Sequence, residues 1–503
     1  MAPPLPDHVR VLVVGAGFAG LAAAIKMRAA DVDDFLVIDK GADVGGTWRD
    51  NTYPGAACDV PSQLYSFSFA LNADWSQTYS PQPEIQAYIR KVADESGVLD
   101  RFRFRTALQS ARWDADATVW AVTTTAGAIT ADVLVMATGA LSEPKLPDID
   151  GIDSFAGEVF HSARWNDDYD LTGKRVAVIG TGASAIQIVP EVAKLTDHLD
   201  VYQRTAPWIL PRAQRPYTRA ERFAFKHVPG LQRVARTGIY WLMEALIGPP
   251  LHTSPRIGVH LDRAARAHIA LRIKDPELRA KVTPDFRIGC KRILFSNDWY
   301  PALTRDDVDL VTDRISTITP RGIVTEDGTR REVDALIVAT GFHTTDLPIA
   351  EHVTGSGGRT MAAYFAEHGM QAYKGATVAE FPNLFFIVGP NTGLGHSSMV
   401  FMIESQVRYL VDALRTMSRD DLATVEPRPE AQQQWNADLQ RKMRRTVWST
   451  GGCSSWYLDD HGRNTTLWPG TTFRFRRALR EFDPEKYVVT TRSDTATTKE
   501  QVA

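Results

Sequence analysis

The chain has few cysteines, no excess of charge of either sign and no CxxC pair. Its 503 residues contain only Cys58, Cys290 and Cys453, which lie far apart along the sequence. Neither a zinc site nor a redox-active disulfide is therefore indicated, and a reducing compartment is expected. Because 57 basic residues face 60 acidic residues, the net charge of −3 creates no field that would attract nucleic acid or anionic lipid.

The sequence also lacks an apolar run long enough to cross a membrane. The most apolar helix candidate, residues 231–248, is interrupted by two arginines and Glu244, whereas a spanning helix needs about 20 largely apolar residues. We expect a packed or tunnel-lining helix, with contact at a membrane surface as the alternative. The strand predicted at residues 9–14 runs directly into Gly15 and leaves no room for a cleavable signal, so a cytoplasmic location is expected.

An internal repeat organises what is present. The segment VRVLVVGAG at residues 9–17 has a later counterpart in RVAVIGTG at residues 175–182, and ADVLVMATGA at 131–140 has one in VDALIVATGF at 333–342. Each copy opens with a buried parallel strand that feeds a glycine turn and closes with a strand that ends in Ala-Thr-Gly. This pattern predicts an α/β fold with two Rossmann-like dinucleotide-binding domains. One is inserted in the other, because the second copy ends before the C-terminal third.

The domain boundaries follow from composition. Residues 217–281 are rich in Ala, Arg and Leu with helical spacing, which predicts a helical insertion in the second domain. Pro144, Pro147 and Gly151 mark the linker between the domains. The predicted segments are the first domain at 1–146 and 342–503, the second domain at 152–212 and 286–341, and the helical insertion at 213–285.

The first glycine turn, GAGFAG, has the spacing of a dinucleotide-binding loop. Gly15 permits the tight turn, Gly17 lets a pyrophosphate approach the backbone and Gly20 lets the helix pack on its strand. The helix N-terminus then offers free N–H groups to the phosphates. Asp39 lies at the end of the next strand, with Lys40 beside it, where a carboxylate binds a ribose.

Two further segments carry a resemblance to a known family. Residues 45–59 read GGTWRDNTYPGAACD, and residues 155–165 read FAGEVFHSARW, which is the pattern FxGxxxHxxxW between the two glycine turns. With these segments the chain resembles the type I Baeyer–Villiger monooxygenases, flavoenzymes that insert one oxygen atom beside a ketone. The resemblance runs over nearly the whole chain and implies two cofactors, FAD and NADPH, whose reactive ends meet.

The resemblance implies that the GGTWRDNTYPGAACD segment wraps the flavin end of FAD. Gly46, Thr47 and Trp48 would lie along the flavin, and Asp59 would approach its reactive edge. Ordinary core packing is the alternative for Trp48, and also for Tyr65, a further expected neighbour of the flavin. Additional contacts with FAD are expected from Thr138, Gly139 and Met399.

The second glycine turn, GTGASA, is expected to bind NADPH. Ala185 stands where the first turn has Gly20, a variant similar to that of NADPH sites in the family. The next strand ends with Arg204 and Thr205 in place of an acid, and an arginine binds a 2′-phosphate through paired hydrogen bonds. Lys291 resembles a second phosphate-binding residue of the family, whereas Arg204 alone would fit a surface position equally well. Further contacts with NADPH are expected from Gly180, Thr181, Gly182, Ser184, Gln187 and Trp456.

The segment GCKRILFSNDWY at residues 289–300 resembles the catalytic loop of the family, in which an arginine follows the phosphate-binding lysine. The match makes Arg292 the catalytic arginine. Its charge would stabilise a flavin C4a-peroxide and the oxyanion that forms when this peroxide adds to a ketone. Asp59 would hold Arg292 in place, and a plain structural ion pair is the alternative.

The FxGxxxHxxxW residues are assigned a supporting role. His161 has the chemistry of a base near neutral pH, but its place on the interdomain linker favours a structural role that influences domain motion. Gly157 is expected to allow a close backbone approach near the nicotinamide. The fingerprint positions are Phe155, Gly157, His161 and Trp165.

The predicted function is an NADPH- and O2-dependent flavoprotein that converts ketones to esters or lactones. Oxygenation of sulfides or amines by the same flavin hydroperoxide is the alternative, and a flavin-binding NADPH oxidase without organic substrate is a third. Two departures from the family pattern are present: Asn166 follows Trp165, and the C-terminal loop matches only at Ser455, Trp456 and Tyr457. The altered C-terminal loop makes linear or aryl ketones as plausible as cyclic ones. A disulfide reductase is disfavoured by the absence of CxxC.

Overall fold

The computed structural model describes residues 4–252 and 255–493. The strands of its parallel sheets include several that are short and buried on both faces, as expected for sheets covered by helices. In chain order the strands are β1 (His8–Val14), β2 (Phe35–Ile38), β3 (Phe102–Arg103), β4 (Leu108–Asp114), β5 (Val119–Thr124), β6 (Gly127–Met136), β7 (Glu158–His161), β8 (Arg175–Ile179), β9 (His198–Tyr202), β10 (Ile209–Leu210), β11 (Leu294–Phe295), β12 (Val308–Val311), β13 (Ile315–Thr319), β14 (Gly322–Thr325), β15 (Arg330–Glu332), β16 (Ala335–Val338), β17 (Val353–Thr354), β18 (Leu384–Phe386), β19 (Leu422–Pro427) and β20 (Tyr487–Thr491).

The helices cover both sheets and fill the long segment between β10 and β11. In chain order they are α1 (Phe18–Arg28), α2 (Thr47–Asp50), α3 (Gln82–Glu95), α4 (Ala185–Val192), α5 (Arg219–His227), α6 (Leu231–Leu246), α7 (Gly248–His252), α8 (Pro255–Arg272), α9 (Pro276–Val282), α10 (Trp299–Leu303), α11 (Met361–His368), α12 (Met399–Arg419), α13 (Pro429–Met443), α14 (Val447–Thr450) and α15 (Thr472–Ala478).

The first sheet is formed by both ends of the chain. Its order is β17-β4-β5-β6-β1-β2-β3, and β18 pairs with β6 beside this path. The strands β2, β1, β6 and β18 run parallel, whereas β4, β5 and β6 form an antiparallel meander. One face of the sheet is covered by α1 and α12. Their apolar residues join the largest core of the described residues, which is called the first core below.

The second sheet uses only the middle of the chain. Its order is β12-β9-β8-β16-β7, and all its strands are parallel. Each opening strand of the sequence repeat lies beside its closing strand, β1 beside β6 and β8 beside β16. The prediction of two Rossmann-like domains, one inserted in the other, is therefore confirmed. The boundaries proposed for the individual segments stay predictions.

The insertion between β10 and β11 is helical, as the sequence predicts, and holds α5 to α9. Local signals set its helix ends: Thr218 and Glu221 form a reciprocal capping box at the start of α5. Helix α6 packs Tyr240 and Met243 against the first core, but Trp241 is 52% exposed. The packing that the sequence predicts for this helix is therefore seen on the face that carries Tyr240 and Met243. Within the described residues, no helix is long and apolar enough to cross a membrane.

Candidate active site

The two glycine turns are built in the same way. Gly15 and Gly180 have φ angles of +113° and +117°, and a Cβ on either would lie 2.5 Å from a carbonyl oxygen, that of Ala137 or of Ala339. Each of these alanines begins the Ala-Thr-Gly end of a closing strand. Because only glycine tolerates both the angle and the contact, the sequence repeat is also a repeat in space. In the first turn, Gly20 packs equally tightly, since its Cβ would lie 1.8 Å from the Gly15 oxygen.

Asp39 is buried at the end of β2, and both of its carboxylate oxygens are engaged. Oδ2 accepts a hydrogen bond from the Ala16 N–H at 2.7 Å, and Oδ1 accepts from the Gly41 N–H at 2.7 Å and from Arg49 Nη1 at 2.8 Å. Asp39 therefore fixes the glycine turn, and it also lies where a carboxylate that binds a ribose is expected. The neighbouring Lys40 forms an ion pair with Glu143.

The segment that follows α1 and β2 lies directly on the first glycine turn. A Cβ on Gly17 would lie 3.6 Å from the Gly46 Cα, so two glycine backbones face each other. Trp48 is buried and donates from its indole N–H to the Tyr65 hydroxyl at 3.0 Å. These two aromatic side chains belong to the core and line the same loop, so the two interpretations offered by the sequence do not exclude each other.

A stretch of backbone with open space beside it lies at the end of β6. Gly139 follows Thr138 after β6, has a φ of +68°, and a Cβ there would meet nothing within 4 Å. Met399 is the first residue of α12 and packs partly buried against the first core. The glycine pair and the open Ala-Thr-Gly end form the kind of backbone cradle that a dinucleotide needs.

Gln187 on α4 connects the two nucleotide-binding regions. Its Oε1 accepts hydrogen bonds from the Tyr53 hydroxyl at 3.1 Å and from the Ala57 N–H at 3.3 Å, while its Nε2 donates to the Ala57 oxygen at 3.0 Å. Its amide is thus engaged by the segment around the first turn. The structure gives this predicted cofactor contact a clear role in joining the domains.

Two cations meet beside the second glycine turn. Burial lowers the pKa of Lys291, and the nearby charge of Arg204 lowers it further. Neither side chain forms an ion pair with a carboxylate among the described residues. The Thr181 hydroxyl donates to the Thr205 oxygen at 3.1 Å, which fixes the strand end that carries Arg204. The charge of Asp285 acts in the opposite direction and raises the pKa of Lys291, so an acid offsets part of this positive charge. A pair of cations is suited to binding an anion. Ala185 is fully buried where α4 begins, Gly182 and Ser184 precede it, and a Cβ on Gly182 would meet open space.

Arg292 and Asp59 form a bidentate ion pair. Arg292 Nε donates to Asp59 Oδ2 at 3.0 Å, and Nη2 donates to Oδ1 at 2.9 Å and to Oδ2 at 2.7 Å. The charge of Asp59 raises the pKa of Arg292 further above its ordinary value. Nη1 has no hydrogen-bond partner among the described residues, and the side chain is 36% exposed. Asp59 therefore holds the guanidinium rigidly while one nitrogen remains available to a ligand.

The FxGxxxHxxxW residues lie in and around β7. His161 is buried, its Nδ1 accepts from the Ala163 N–H at 3.1 Å, and burial lowers its pKa to about 4. Trp165 packs edge-on against Phe160 at 4.9 Å between ring centroids. A Cβ on Gly157 would lie 2.3 Å from the Asp334 oxygen and 2.7 Å from the Phe155 ring. The close contact that requires a glycine at position 157 is thus made with the backbone beside the second sheet. The approach to the nicotinamide, which the sequence suggests for Gly157, stays a prediction.

The chain is 50% identical over 484 residues to a Baeyer–Villiger monooxygenase of Streptomyces coelicolor, which covers 96% of this chain and 93% of that protein. The chain belongs to the Baeyer–Villiger monooxygenase family. A profile for pyridine nucleotide-disulphide oxidoreductases also matches residues 12–220.

Solved structures agree with this membership. Cyclohexanone monooxygenase from Rhodococcus sp. Phi1 bound to NADP+ is 29% identical, with a TM-score of 0.86 over 97% of this chain and 100% of that one. OTEMO in complex with FAD and NADP is 28% identical, with a TM-score of 0.85 over 96% and 99% of the two chains. Members of the family thus bind both nucleotides on this fold.

A disulfide that the sequence does not indicate joins two loops of this family member. Cys290, two residues before Arg292, is bonded to Cys453 at a sequence separation of 163 and a Cα–Cα distance of 6.1 Å. A Cβ on Gly451 would lie 2.6 Å from the Cys290 Cβ, so the C-terminal loop can reach Cys290 only because that position is glycine. The wide spacing of the cysteines along the chain gave no sign of this bond, and the absence of a CxxC pair spoke only against a redox-active disulfide.

The C-terminal loop then brings two aromatic residues to the site. Trp456 is 42% exposed and packs on Tyr457 at 4.4 Å between centroids, whereas Tyr457 is 1% exposed. The sequence assigns a role to Trp456 and none to Tyr457. Tyr457 is buried in an apolar core beside Trp448, and only the folded chain shows this packing.

Proposed function

We propose that this chain is an FAD-dependent Baeyer–Villiger monooxygenase that uses NADPH and O2 to convert ketones to esters or lactones. The observation that carries this proposal is the bidentate pair of Arg292 and Asp59. The guanidinium is held rigidly by Asp59 and keeps one nitrogen available to a ligand. An oxygenating enzyme needs such a cation, because negative charge develops on oxygen during the reaction.

FAD would be held by the first glycine turn and the segment that lies on it. The facing backbones of Gly17 and Gly46 and the open space beside Gly139 fit a pyrophosphate that approaches the main chain closely. Trp48 and Tyr65 would form the aromatic wall of the flavin end, since their hydrogen bond fixes both rings. FAD, when bound, would supply the reduced flavin that activates O2.

NADPH would be held by the second glycine turn, with its 2′-phosphate between Arg204 and Lys291. The two cations lie close enough for Arg204 to lower the pKa of Lys291. An anion placed between them would relieve this repulsion, which gives NADPH an electrostatic advantage over NADH.

Arg292 would act on the oxygen of the ketone as this oxygen becomes negative. A fixed cation in a water-poor cleft stabilises an oxyanion more strongly than water does, because it requires no reorientation when the charge appears. Asp59 would keep the guanidinium in one orientation through both of its oxygens. It would also keep Arg292 protonated throughout the working pH range, since it raises the pKa of the arginine.

The substrate class is tested most directly by product analysis. The purified chain should be supplied with NADPH, O2 and a panel of linear, cyclic and aryl ketones together with thioethers. We expect esters or lactones from at least one class of ketone, identified by gas chromatography. Sulfoxides without any ester would favour the alternative of electrophilic oxygenation. Hydrogen peroxide as the only product would favour an NADPH oxidase and would refute the proposal.

A further inference from the structure

Helix α6 carries apolar side chains on two opposite faces. Its inward face is fixed to the first domain by Arg236, which donates to the Gln63 and Leu64 oxygens at 2.8 and 3.0 Å, and by the packing of Met243. Because successive helical residues turn by about 100°, the outward face lies opposite these positions. It exposes four large apolar side chains: Val234 (68%), Trp241 (52%), Leu242 (56%) and, at its edge, Leu246 (64%). A surface helix normally carries polar residues on its outward side, so this face requires an explanation.

Helix α15 extends the outward face of α6. The hydroxyls of Tyr240 and Thr472 share a hydrogen bond of 3.0 Å that joins the two helices. Phe473 is 43% exposed, and its ring centroid lies 6.0 Å from that of Trp241. The helical spacing then places two exposed arginines on the same side of α15 as Phe473. We call this area the α6–α15 surface, which consists of Arg233, Val234, Trp241, Leu242, Leu246, Phe473, Arg474 and Arg477.

The α6–α15 surface is positively charged. Helix α6 contains two arginines and α15 contains three, whereas the only acid of the two helices is Glu244. Glu244 is buried and hydrogen-bonded to His396 and to the Thr472 N–H. The side chains of Arg233, Arg474 and Arg477 are exposed, and none forms an ion pair within the described part of the chain. The net charge of −3 for the whole chain therefore conceals a local concentration of cations around an apolar patch.

We propose that the α6–α15 surface binds to a bilayer that contains anionic lipid, with α6 lying in the plane of the interface. Trp241 and Phe473 would enter the boundary between headgroups and acyl chains, where aromatic rings are favoured. Arg474 and Arg477 would bind lipid phosphates, to which a guanidinium donates paired hydrogen bonds. Attachment at the surface needs no spanning helix, and the described residues contain none. The inference concerns a second surface of the molecule and does not rest on the proposed function.

A second copy of the chain fits the α6–α15 surface less well than lipid does. In a symmetric dimer the same surface faces itself, so the arginines of one copy would lie opposite those of the other. The surface offers no acid to neutralise them, since Glu244 is buried. Anionic lipid satisfies the apolar part and the cationic part together.

The test measures sedimentation of the full-length, FAD-loaded protein with lipid vesicles. One set of vesicles is phosphatidylcholine alone, and the other mixes equal parts of phosphatidylcholine and phosphatidylglycerol, each at low and at high salt. The Arg474→Gln, Arg477→Gln double variant removes charge from the surface. The Trp241→Gln, Leu242→Gln double variant removes its apolar contact.

Matched controls come from elsewhere in the chain. The Arg444→Gln, Arg445→Gln double variant neutralises two exposed arginines after α13, and the described residues of α13 and α14 expose no large apolar side chain. The Leu195→Gln, Leu271→Gln double variant removes two apolar side chains that are 47% and 71% exposed outside the α6–α15 surface. The melting temperature and the flavin reduction rate without vesicles should be unchanged in all four double variants, which shows that each is folded.

We expect the wild type to bind the anionic vesicles far more tightly than phosphatidylcholine alone, and high salt to weaken the binding because it screens the arginines. Loss of Arg474 and Arg477 should lower the binding constant about tenfold to thirtyfold, since each cation near an anionic bilayer contributes about fivefold. Loss of Trp241 and Leu242 should lower it at least about tenfold, at low and high salt alike. Both controls should bind like the wild type.

Several results would overturn the inference. The wild type would bind neither kind of vesicle, or would bind both equally well. Equal losses in the surface variants and their controls would show general adsorption that does not use this surface. A wild-type dimer in solution that the Trp241→Gln, Leu242→Gln variant converts to a monomer would assign the surface to a second copy of the chain. Because the readout is binding, an absence of ester formation would refute the proposed function and leave this inference untouched.

Discussion

At the scale of single residues, His161 illustrates how burial decides between two chemical roles. A histidine with an ordinary pKa would exchange protons near neutral pH. In this chain burial lowers the pKa of His161 to about 4, and its Nδ1 already accepts from the Ala163 N–H. The ring is therefore neutral at pH 7 and is engaged by its own backbone, which favours a supporting role over that of a catalytic base.

This placement predicts a mild effect of His161→Ala on the reaction. We expect the variant to form ester, with slower flavin reduction or weaker retention of NADP+, both measured by stopped flow. Loss of all ester despite normal reduction would instead make His161 a direct participant.

The lowered pKa of His161 also predicts an effect of pH on stability. The folded value lies below the unfolded value of about 6.5, so the contribution of neutral His161 is full above pH 6.5 and decreases as the pH falls towards 4. Melting curves of wild type and His161→Gln over this range check the expectation, because the variant should lose part of the slope.

The two cations beside the second glycine turn predict the choice of coenzyme. Replacing both Arg204 and Lys291 by Ala should lower kcat/KM for NADPH about tenfold to a hundredfold, since a hydrogen bond to a charged group contributes about 1.5–3 kcal/mol. NADH has no 2′-phosphate and should be affected little, so it serves as the control in the same steady-state assay. Equal losses with both coenzymes would contradict the phosphate assignment.

At the scale of elements, the disulfide connects two loops that the topology would otherwise leave independent. Cys290 lies before β11, and Cys453 follows α14 in the C-terminal segment. Closing a loop of this length constrains the unfolded chain and typically stabilises a protein by about 2–4 kcal/mol. We expect a dithiol reductant to lower the melting temperature of the wild type by several degrees. It should have no effect on the Cys290→Ser, Cys453→Ser double variant.

Thiol labelling of the same samples provides the second readout. Under denaturing, non-reducing conditions an alkylating reagent should label Cys58 and leave Cys290 and Cys453 unlabelled by peptide mass spectrometry. Ready labelling of all three cysteines in the freshly purified protein would contradict the bond. It would also leave the C-terminal loop dependent on Gly451 and its packing alone.

The same elements show how much could be predicted from the sequence. The glycine turns and Ala-Thr-Gly strand ends are local patterns with fixed physical requirements, so they indicated both Rossmann-like domains and their nesting. Arg292 and Asp59 were paired because each lies in a motif of the family. The bond between Cys290 and Cys453 and the burial of Tyr457 arise only when distant segments meet, so no local pattern predicted them. Gln187 stays a predicted cofactor contact, and the bond from its amide to Ala57 is a further feature that no local pattern indicated.

At the scale of the whole molecule, the candidate active site lies where the two nested domains meet. Asp59 follows the first glycine turn and its strands, whereas Arg292 belongs to the chain segment that leads back into the second sheet. Their ion pair therefore crosses from one nucleotide-binding domain to the other, as do the hydrogen bonds of Gln187 to Tyr53 and Ala57. Two cofactors whose reactive ends must meet require contacts of this kind.

The most direct test of the central claim separates flavin reduction from oxygen insertion in Arg292→Ala. Hydride transfer between stacked rings does not use the guanidinium, so NADPH should reduce the flavin at close to the wild-type rate. Ester formation should fall on the order of a hundredfold or more, and the consumed NADPH should be recovered as hydrogen peroxide. The control is Arg305→Ala, which removes an equally bidentate but exposed partner of Asp307 and should leave both steps unchanged.

Stopped-flow absorbance for the flavin, gas chromatography for the ester and a peroxide assay together give the answer for both variants. The account predicts a reduced flavin, hydrogen peroxide and almost no ester from Arg292→Ala. Ester formation by Arg292→Ala at near the wild-type rate would contradict it and would place the oxygenating site elsewhere in the chain.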